Sequence, residues 1–315
     1  MCDARPPTLR VLLLVCSLAV ACGQPAVPLP DGGAPDSGVT DAGVIDASDG
    51  GLDAGLDGGI DAGPVKPPDA GPAFDLDGGC QVTMCLTGAP SRGSSNTPFD
   101  VICDDPSIPG VIQSCEGGSC FNTFNTFGID AKNSIYPKLF AVLDTNHDSA
   151  VNGQDTTCAV NLLGYSWGGV SAVQIATALS TDSRVDPARR QVYRLFVMDP
   201  FQRDLLKIAT VTVPTNVIRF VEYRHSVTPS GDCSAGAPFG PYKGIRPKCY
   251  AGSNCIDYDY SQTSTSQYPD SSGGFYTSSQ IGHCEVPRVA AVAVLADFKG
   301  LAAPVLPAQV PIVAP

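Results

Sequence analysis

The chain has 315 residues, 13 of them Cys, and a formal net charge of −12. Residues 23–79 hold 11 Asp and a single Lys, so from residue 80 onward 19 acidic residues face 16 basic ones, a balance of about −3. The acidity therefore sits mostly in one segment. Neither part carries the basic patch that nucleic-acid binding requires, and no nucleic-acid partner is expected.

Arg5 and Arg10 give a basic start, and Val11 to Ala21 is an unbroken run of apolar and small residues. A membrane-spanning helix needs about 20 apolar residues, so residues 1–21 read as a secretory signal instead. The ending Leu18-Ala19-Val20-Ala21-Cys22 resembles the lipobox of bacterial lipoproteins, with Ala19 standing where Leu is usual. That resemblance implies lipidation of Cys22, a membrane held through the N-terminal lipid, and anchoring to the bacterial cell envelope at the outer membrane or cell surface. Ordinary secretion with cleavage near Ala21 is the alternative, and both readings export the chain.

Residues 22–79 read as the lipidated Cys followed by a disordered tether of Asp, Gly, Ala and Pro. Asp49, Asp53, Asp57 and Asp61 recur at a helical spacing, but the intervening Gly residues oppose a helix. Few large apolar side chains are present to offset ordering entropy. As a flexible coil the tether has an r.m.s. reach of about 40–45 Å.

Residues 80–315 have the length of one large domain. Beyond the signal and Cys22, ten Cys remain: Cys80, Cys85, Cys103, Cys115, Cys120, Cys158, Cys233, Cys249, Cys255 and Cys284. An even number in an exported chain points to disulfides, and the paired Cys-x-x-Cys or Cys/His spacings of zinc sites are missing. The pairing is not readable from the spacing.

Ile135 to Leu143 reads as a helix. The next residues, Asp144 to Asp155, resemble an EF-hand calcium loop, with Asp144, Asn146, Asp148, Asn152 and Asp155 at oxygen-bearing positions and Val151 at the apolar eighth. Ser149 replaces the Gly of the sharp turn, and Asp155 is shorter than the usual Glu. The resemblance implies a structural Ca²⁺, with no cofactor required for chemistry. A plain Asn/Asp turn is the competing reading.

Ala159 to Leu163 is short and apolar enough for a buried strand. Gly164-Tyr165-Ser166-Trp167-Gly168-Gly169 follows, then Val170, Val173, Ala176 and Leu179 on one helical face. Val192 to Met198 reads as a second buried strand ending in Asp199-Pro200. Strand, Gly-x-Ser-x-Gly, helix, strand is the context of a nucleophile elbow, where a sharp turn raises the Ser above a helix N-terminus. Farther on, Val217 to Tyr223 reads as a strand and Val289 to Leu295 as a closing helix. From Ala302 a Pro-rich extended tail is expected to lie on the domain.

Residues 159–200 look like the centre of an α/β-hydrolase of the lipase/esterase kind. The resemblance implies an α/β fold, a mostly parallel sheet with helices on both faces, here rich in disulfides. It implies Ser166 as nucleophile, the backbone N–H of Trp167 as an oxyanion donor, and a small-molecule or lipid ester as substrate. Asp199 occupies the place of the acid in lipases of the pancreatic type, with Asp232 and Asp204 as rivals. His283, just before the last helix, occupies the place of the base, with His225 as its rival. His147 precedes the serine in a loop. The family's His-Gly oxyanion motif is missing, and the second donor is left between the loops at Glu116 to Ser119 and Phe127-Gly128. An enzyme of this kind is an exported serine hydrolase; a surface lipoprotein with the fold and a binding or structural role is the alternative.

Overall fold

Strands buried on both faces are largely apolar, and the runs at 80–87, 158–165 and 192–198 follow that pattern, with Asn161 and Arg194 among the exceptions. The computed structural model describes residues 79–88, 98–116, 118–201, 203–204, 207–208, 212–226, 244–246, 248–250, 254–262, 265–302 and 304–311. The signal, Cys22, nearly all of the tether, Asp232 and Cys233 lie outside the described residues.

Six strands make the main sheet: β1 (Cys80–Thr87), β2 (Phe124–Asn125), β3 (Cys158–Tyr165), β4 (Val192–Met198), β5 (Val217–Arg224) and β6 (Asn254–Asp259). Their order is β6-β5-β4-β3-β1-β2, and every neighbouring pair is parallel. Among the described residues, five α-helices flank the sheet: α1 (Asp100–Cys103), α2 (Ala131–Ser134), α3 (Tyr136–Leu143), α4 (Trp167–Thr181) and α5 (Val286–Phe298).

The pleat of β3 divides the core in two. Val160 and Leu162 point toward Leu139 of α3 and Ile175 of α4. Leu163 and Tyr165 point the other way, toward Ile102 of α1 and Val289 of α5. An α/β domain with a parallel sheet covered on both faces is therefore what the chain forms. Where strands run parallel, their C-terminal ends share one edge, and ligands bind outside that edge. The turns after β1, β3, β4 and β5 all open there.

The expected elements are extended at their ends. The strand around Ala159 runs from Cys158 to Tyr165, and the last helix from Val286 to Phe298. Past residue 302 the tail reaches β6, where Gln309 bridges antiparallel to Tyr258 and the Val310 N–H donates to the Asp257 carbonyl at 2.8 Å. It covers part of an edge that would otherwise offer unpaired backbone groups.

Four disulfides pair Cys80 with Cys158, Cys85 with Cys103, Cys115 with Cys120, and Cys249 with Cys255. Cys284 is disulfide-bonded as well. Such bonds persist in oxidising compartments outside the cytoplasm. Among the described residues, no helix is long and apolar enough to cross a membrane.

Cys80 and Cys158 face each other across paired β1 and β3, 78 residues apart in sequence, whereas Cys115 and Cys120 close a separation of 5. In the chain-entropy picture, replacing Cys80 and Cys158 together by Ala lowers the unfolding free energy by about 4 kcal/mol, against about 2 kcal/mol for the Cys115/Cys120 pair. Denaturant unfolding of the two double variants reads the ranking, and equal losses would refute it.

Candidate active site

Ser166 sits between β3 and α4 with φ 58° and ψ −127°. A non-glycine residue in that region is strained, by about 1–3 kcal/mol, and persists only where the surroundings fix it. Here the strand and helix pass so closely that a side chain would not fit. A Cβ on Gly164 would lie 2.5 Å from the Gly168 carbonyl oxygen, and one on Gly168 only 2.0 Å from that of Leu86. The Ser166 backbone is tied to its neighbours as well. Its N–H donates to the Met198 carbonyl at 3.0 Å, and its carbonyl accepts from Gly169 and Phe201, both at 3.0 Å.

The Ser166 hydroxyl lies 2.9 Å from Nε2 of His283, and Nδ1 of His283 lies 2.5 Å from Oδ2 of Asp199. Ser166, Asp199 and His283 are 8%, 0% and 6% exposed. The three residues expected to act together are thus brought into one hydrogen-bonded chain. Asp199, like Ser166, has a positive φ, 44°. Its N–H donates to the Tyr223 carbonyl at 2.6 Å, which carries β4 past its last sheet residue and fixes the carboxylate. His283 is held by Tyr165, whose hydroxyl donates to the His283 carbonyl at 3.1 Å and whose ring centroid is 5.0 Å from the imidazole. A turn in which the Glu285 and Val286 N–H groups bond back to the Gly282 carbonyl leads from His283 into α5.

Burial acts to raise the Asp199 carboxyl, but His225 and His283 outweigh it and hold it well below the usual carboxylate range. His225 directly follows β5 in full burial, and its Nδ1 is 2.9 Å from Oδ1 of Asp199. The sequence offered His225 and His283 as rivals for one role. Both reach Asp199, one at each oxygen, and only the His283 ring bridges to Ser166.

The other rivals separate by position. His147 is exposed in the 144–155 loop. Asp204 belongs to a short backbone pairing of Arg203–Asp204 with Lys207–Ile208, and its side chain is not among the described ones.

Trp167 heads α4, so its N–H is one of the donors a helix leaves free at its start. A Cβ on Gly88 would lie 2.3 Å from that Trp167 nitrogen. The chain leaving β1 at Gly88 therefore passes directly against the expected oxyanion donor. The Phe127 N–H is taken by Oδ1 of Asn125 at 3.0 Å, although the Phe127 ring packs edge-on to Trp167 at 5.5 Å. The loop from Glu116 to Ser119 turns a separate hairpin closed by Cys115–Cys120. The missed signal was the parallel pairing: β1 lies beside the serine strand and ends at the same edge, and Gly88 follows its last residue.

In the 144–155 loop the carboxylates turn toward the loop's own donors. Asp144 accepts from the N–H groups of Asp148 at 3.1 Å and Ser149 at 3.0 Å. Asp155 accepts from those of Asn146 at 3.1 Å and Asn152 at 2.8 Å, and Asn146 donates its amide to Asp148 at 3.0 Å. Among the described residues no group of three or more His, Cys, Asp or Glu side chains is arranged to hold a metal ion. These are the side-chain-to-backbone hydrogen bonds of an Asn/Asp-rich turn.

One buried group beside the site was not foreseen. Glu222 on β5 is fully buried, and neither carboxyl oxygen has a hydrogen-bond partner. Burial, then the charge of Asp257, pushes its carboxyl well above the ordinary value. The neighbouring cations are committed elsewhere. Arg224 contacts Asp257 at 2.9 Å and Asp259 at 2.9 Å, and Arg246 reaches Asp257 at 3.4 Å.

Neither a family model nor a curated protein nor a solved structure matches this chain. What stands is an α/β domain on a six-stranded parallel sheet, with Ser166, His283 and Asp199 assembled at its C-terminal edge.

Glu222 makes stability depend on pH with a definite sign. Its folded form holds the proton more tightly than the unfolded form, so the folded state loses stability as pH rises above the ordinary glutamate value of about 4.3. Glu222→Gln is therefore expected to raise the urea midpoint at pH 8 and to change it little near pH 4. An equal or lower midpoint at pH 8 would contradict the upward shift of the Glu222 carboxyl.

Proposed function

We propose that this protein is an exported serine hydrolase that cleaves a small-molecule or lipid ester by acyl transfer. The supporting observation is the unbroken Ser166–His283–Asp199 hydrogen-bond chain, with the serine on a strained turn above a helix N-terminus. His283 Nε2 takes the Ser166 proton as Oγ attacks the ester carbonyl carbon, and the carbonyl oxygen becomes an oxyanion facing the Trp167 N–H. The tetrahedral intermediate collapses, the alcohol leaves with the proton from His283, and an acyl-serine remains. Water, deprotonated by His283, then attacks that acyl group and releases the acid and the free serine. Asp199 keeps the proton of neutral His283 on Nδ1 and offsets the charge of the imidazolium. No cofactor enters any step.

In the same reading, Cys22 carries the lipid that holds the protein to the cell envelope, and the Asp-rich segment is the spacer. The disulfides support export, and the Leu18-Ala19-Val20-Ala21-Cys22 run supports the anchor.

Hydrolysis of p-nitrophenyl acetate by the purified protein tests the chemistry. Ser166→Ala and His283→Ala should fall to background, and Asp199→Asn should lose about 10³–10⁴-fold in kcat. Activity that survives in Ser166→Ala would overturn the assignment. For the anchor, Cys22→Ser should move the protein from the membrane fraction to the soluble exported fraction; an unchanged distribution would remove Cys22 from the account.

A further inference from the structure

A buried carboxylate needs compensation for lost hydration, and a cation commonly provides it. Asp199 is fully buried, and the guanidinium groups of Arg224 and Arg246 pair with Asp257 and Asp259 on β6. What faces Asp199 instead is a pair of imidazoles on opposite oxygens. Oδ2 meets Nδ1 of His283 at 2.5 Å; Oδ1 accepts the backbone N–H of His225 at 3.0 Å and lies 2.9 Å from His225 Nδ1. The ring contact is oblique, so it acts more as a dipole against a charge than as a linear hydrogen bond. The two imidazole centroids are 6.4 Å apart.

The surrounding chain holds this arrangement in place. Gly244 donates its N–H to the His225 carbonyl at 3.1 Å, and a Cβ there would fall 2.5 Å from Oδ1 of Asp199. The segment that carries Gly244 thus lies directly against the carboxylate on the His225 side.

We propose that His225 is a positioning residue for the proposed hydrolysis: its backbone N–H and imidazole hold one oxygen of Asp199 so that the other is presented to His283. The inference rests on the reading of Asp199 as the partner of His283. It assigns the Nδ1–H tautomer to His225, because a bare ring nitrogen at 2.9 Å from a carboxylate oxygen would be repelled. It also assigns His225 a share of the Asp199 charge. With that share removed, His283 alone faces the whole carboxylate, and its protonated form gains.

The charged and titratable groups around this pair come from every neighbouring element. Asp199 follows β4, Glu222 and Arg224 lie on β5, Asp257 and Asp259 on β6, Arg246 beside Gly244, and His283 before α5. Glu222 and Asp199 repel each other, and Arg224 and Arg246 act on Glu222 in the opposite sense. None of them contacts its carboxylate oxygens among the described groups. The two imidazoles are therefore the direct partners whose loss Asp199 would register.

The chain has only three His, so histidine-labelled protein gives three ring systems to resolve. The test is ¹⁵N NMR of the intact chain labelled at histidine, titrated from pH 4 to 9, as wild type, His225→Leu and His225→Asn. Leu fills the volume without a donor, and Asn keeps an N–H near the place of Nδ1. In the wild type, His225 should carry its proton on Nδ1. In His225→Leu the His283 midpoint should rise by about half a unit or more, and in His225→Asn it should return toward the wild-type value. A purely structural His225 would leave that midpoint unmoved.

An unchanged or lowered His283 midpoint in His225→Leu overturns the proposal. If the Leu variant does not fold, a proton found on Nε2 of wild-type His225, with Nδ1 bare, overturns it equally. The hydrolase reading is scored separately on the same wild-type sample, by turnover of p-nitrophenyl acetate. Coupled imidazoles without turnover would sink the function and keep the positioning role. Turnover without coupling would do the reverse.

Discussion

Ser166 holds its positive-φ backbone where α4 is pressed against both β3 and β1, and two glycines make those approaches possible. Gly164 and Gly168 each stand where a Cβ would strike a backbone carbonyl. From that constraint the rest of the site follows. The turn lifts the hydroxyl to the C-terminal edge of the sheet, it makes Trp167 the first residue of α4, and it brings the Trp167 nitrogen against the turn at Gly88. The parallel sheet then delivers Asp199 from the next strand and His225 from the one beyond.

The electrostatics are set by how the buried charges divide. Arg224 is shared between Asp257 and Asp259, which leaves Glu222 with its carboxyl pushed upward and Asp199 facing imidazoles. A cation placed directly on Asp199 would weaken its hold on His283. Imidazole donors compensate for burial while leaving the carboxylate negative, which is the condition under which it can stabilise a protonated His283.

The serine strand, its glycine turn, the helix after it and the strand ending in Asp199 were legible because local pattern and tertiary role coincide there. An apolar run, a glycine crossing and a helical stripe leave few alternatives. The position of His283 before an apolar helix was legible for the same reason. Two things were not. β1 hid because its partner Cys158 lies 78 residues away and Gly88 looks like any loop glycine. Glu222, Arg224, Asp257 and Asp259 sit on buried strands, where alternating charges read as a solvated face until the opposing strand supplies the partner. The 144–155 loop carries the spacing of a calcium loop, and its carboxylates accept from the loop's own backbone donors.

The central claim is that Ser166 is an activated nucleophile. Intact-mass measurement after exposure of the native, disulfide-bonded protein to a fluorophosphonate probe tests it most directly, with peptide mapping to locate the adduct. The account predicts a single phosphonyl group on Ser166, formed in the wild type and absent from His283→Ala over the same interval. A folded wild type that stays unmodified, or an adduct on another residue, would contradict it.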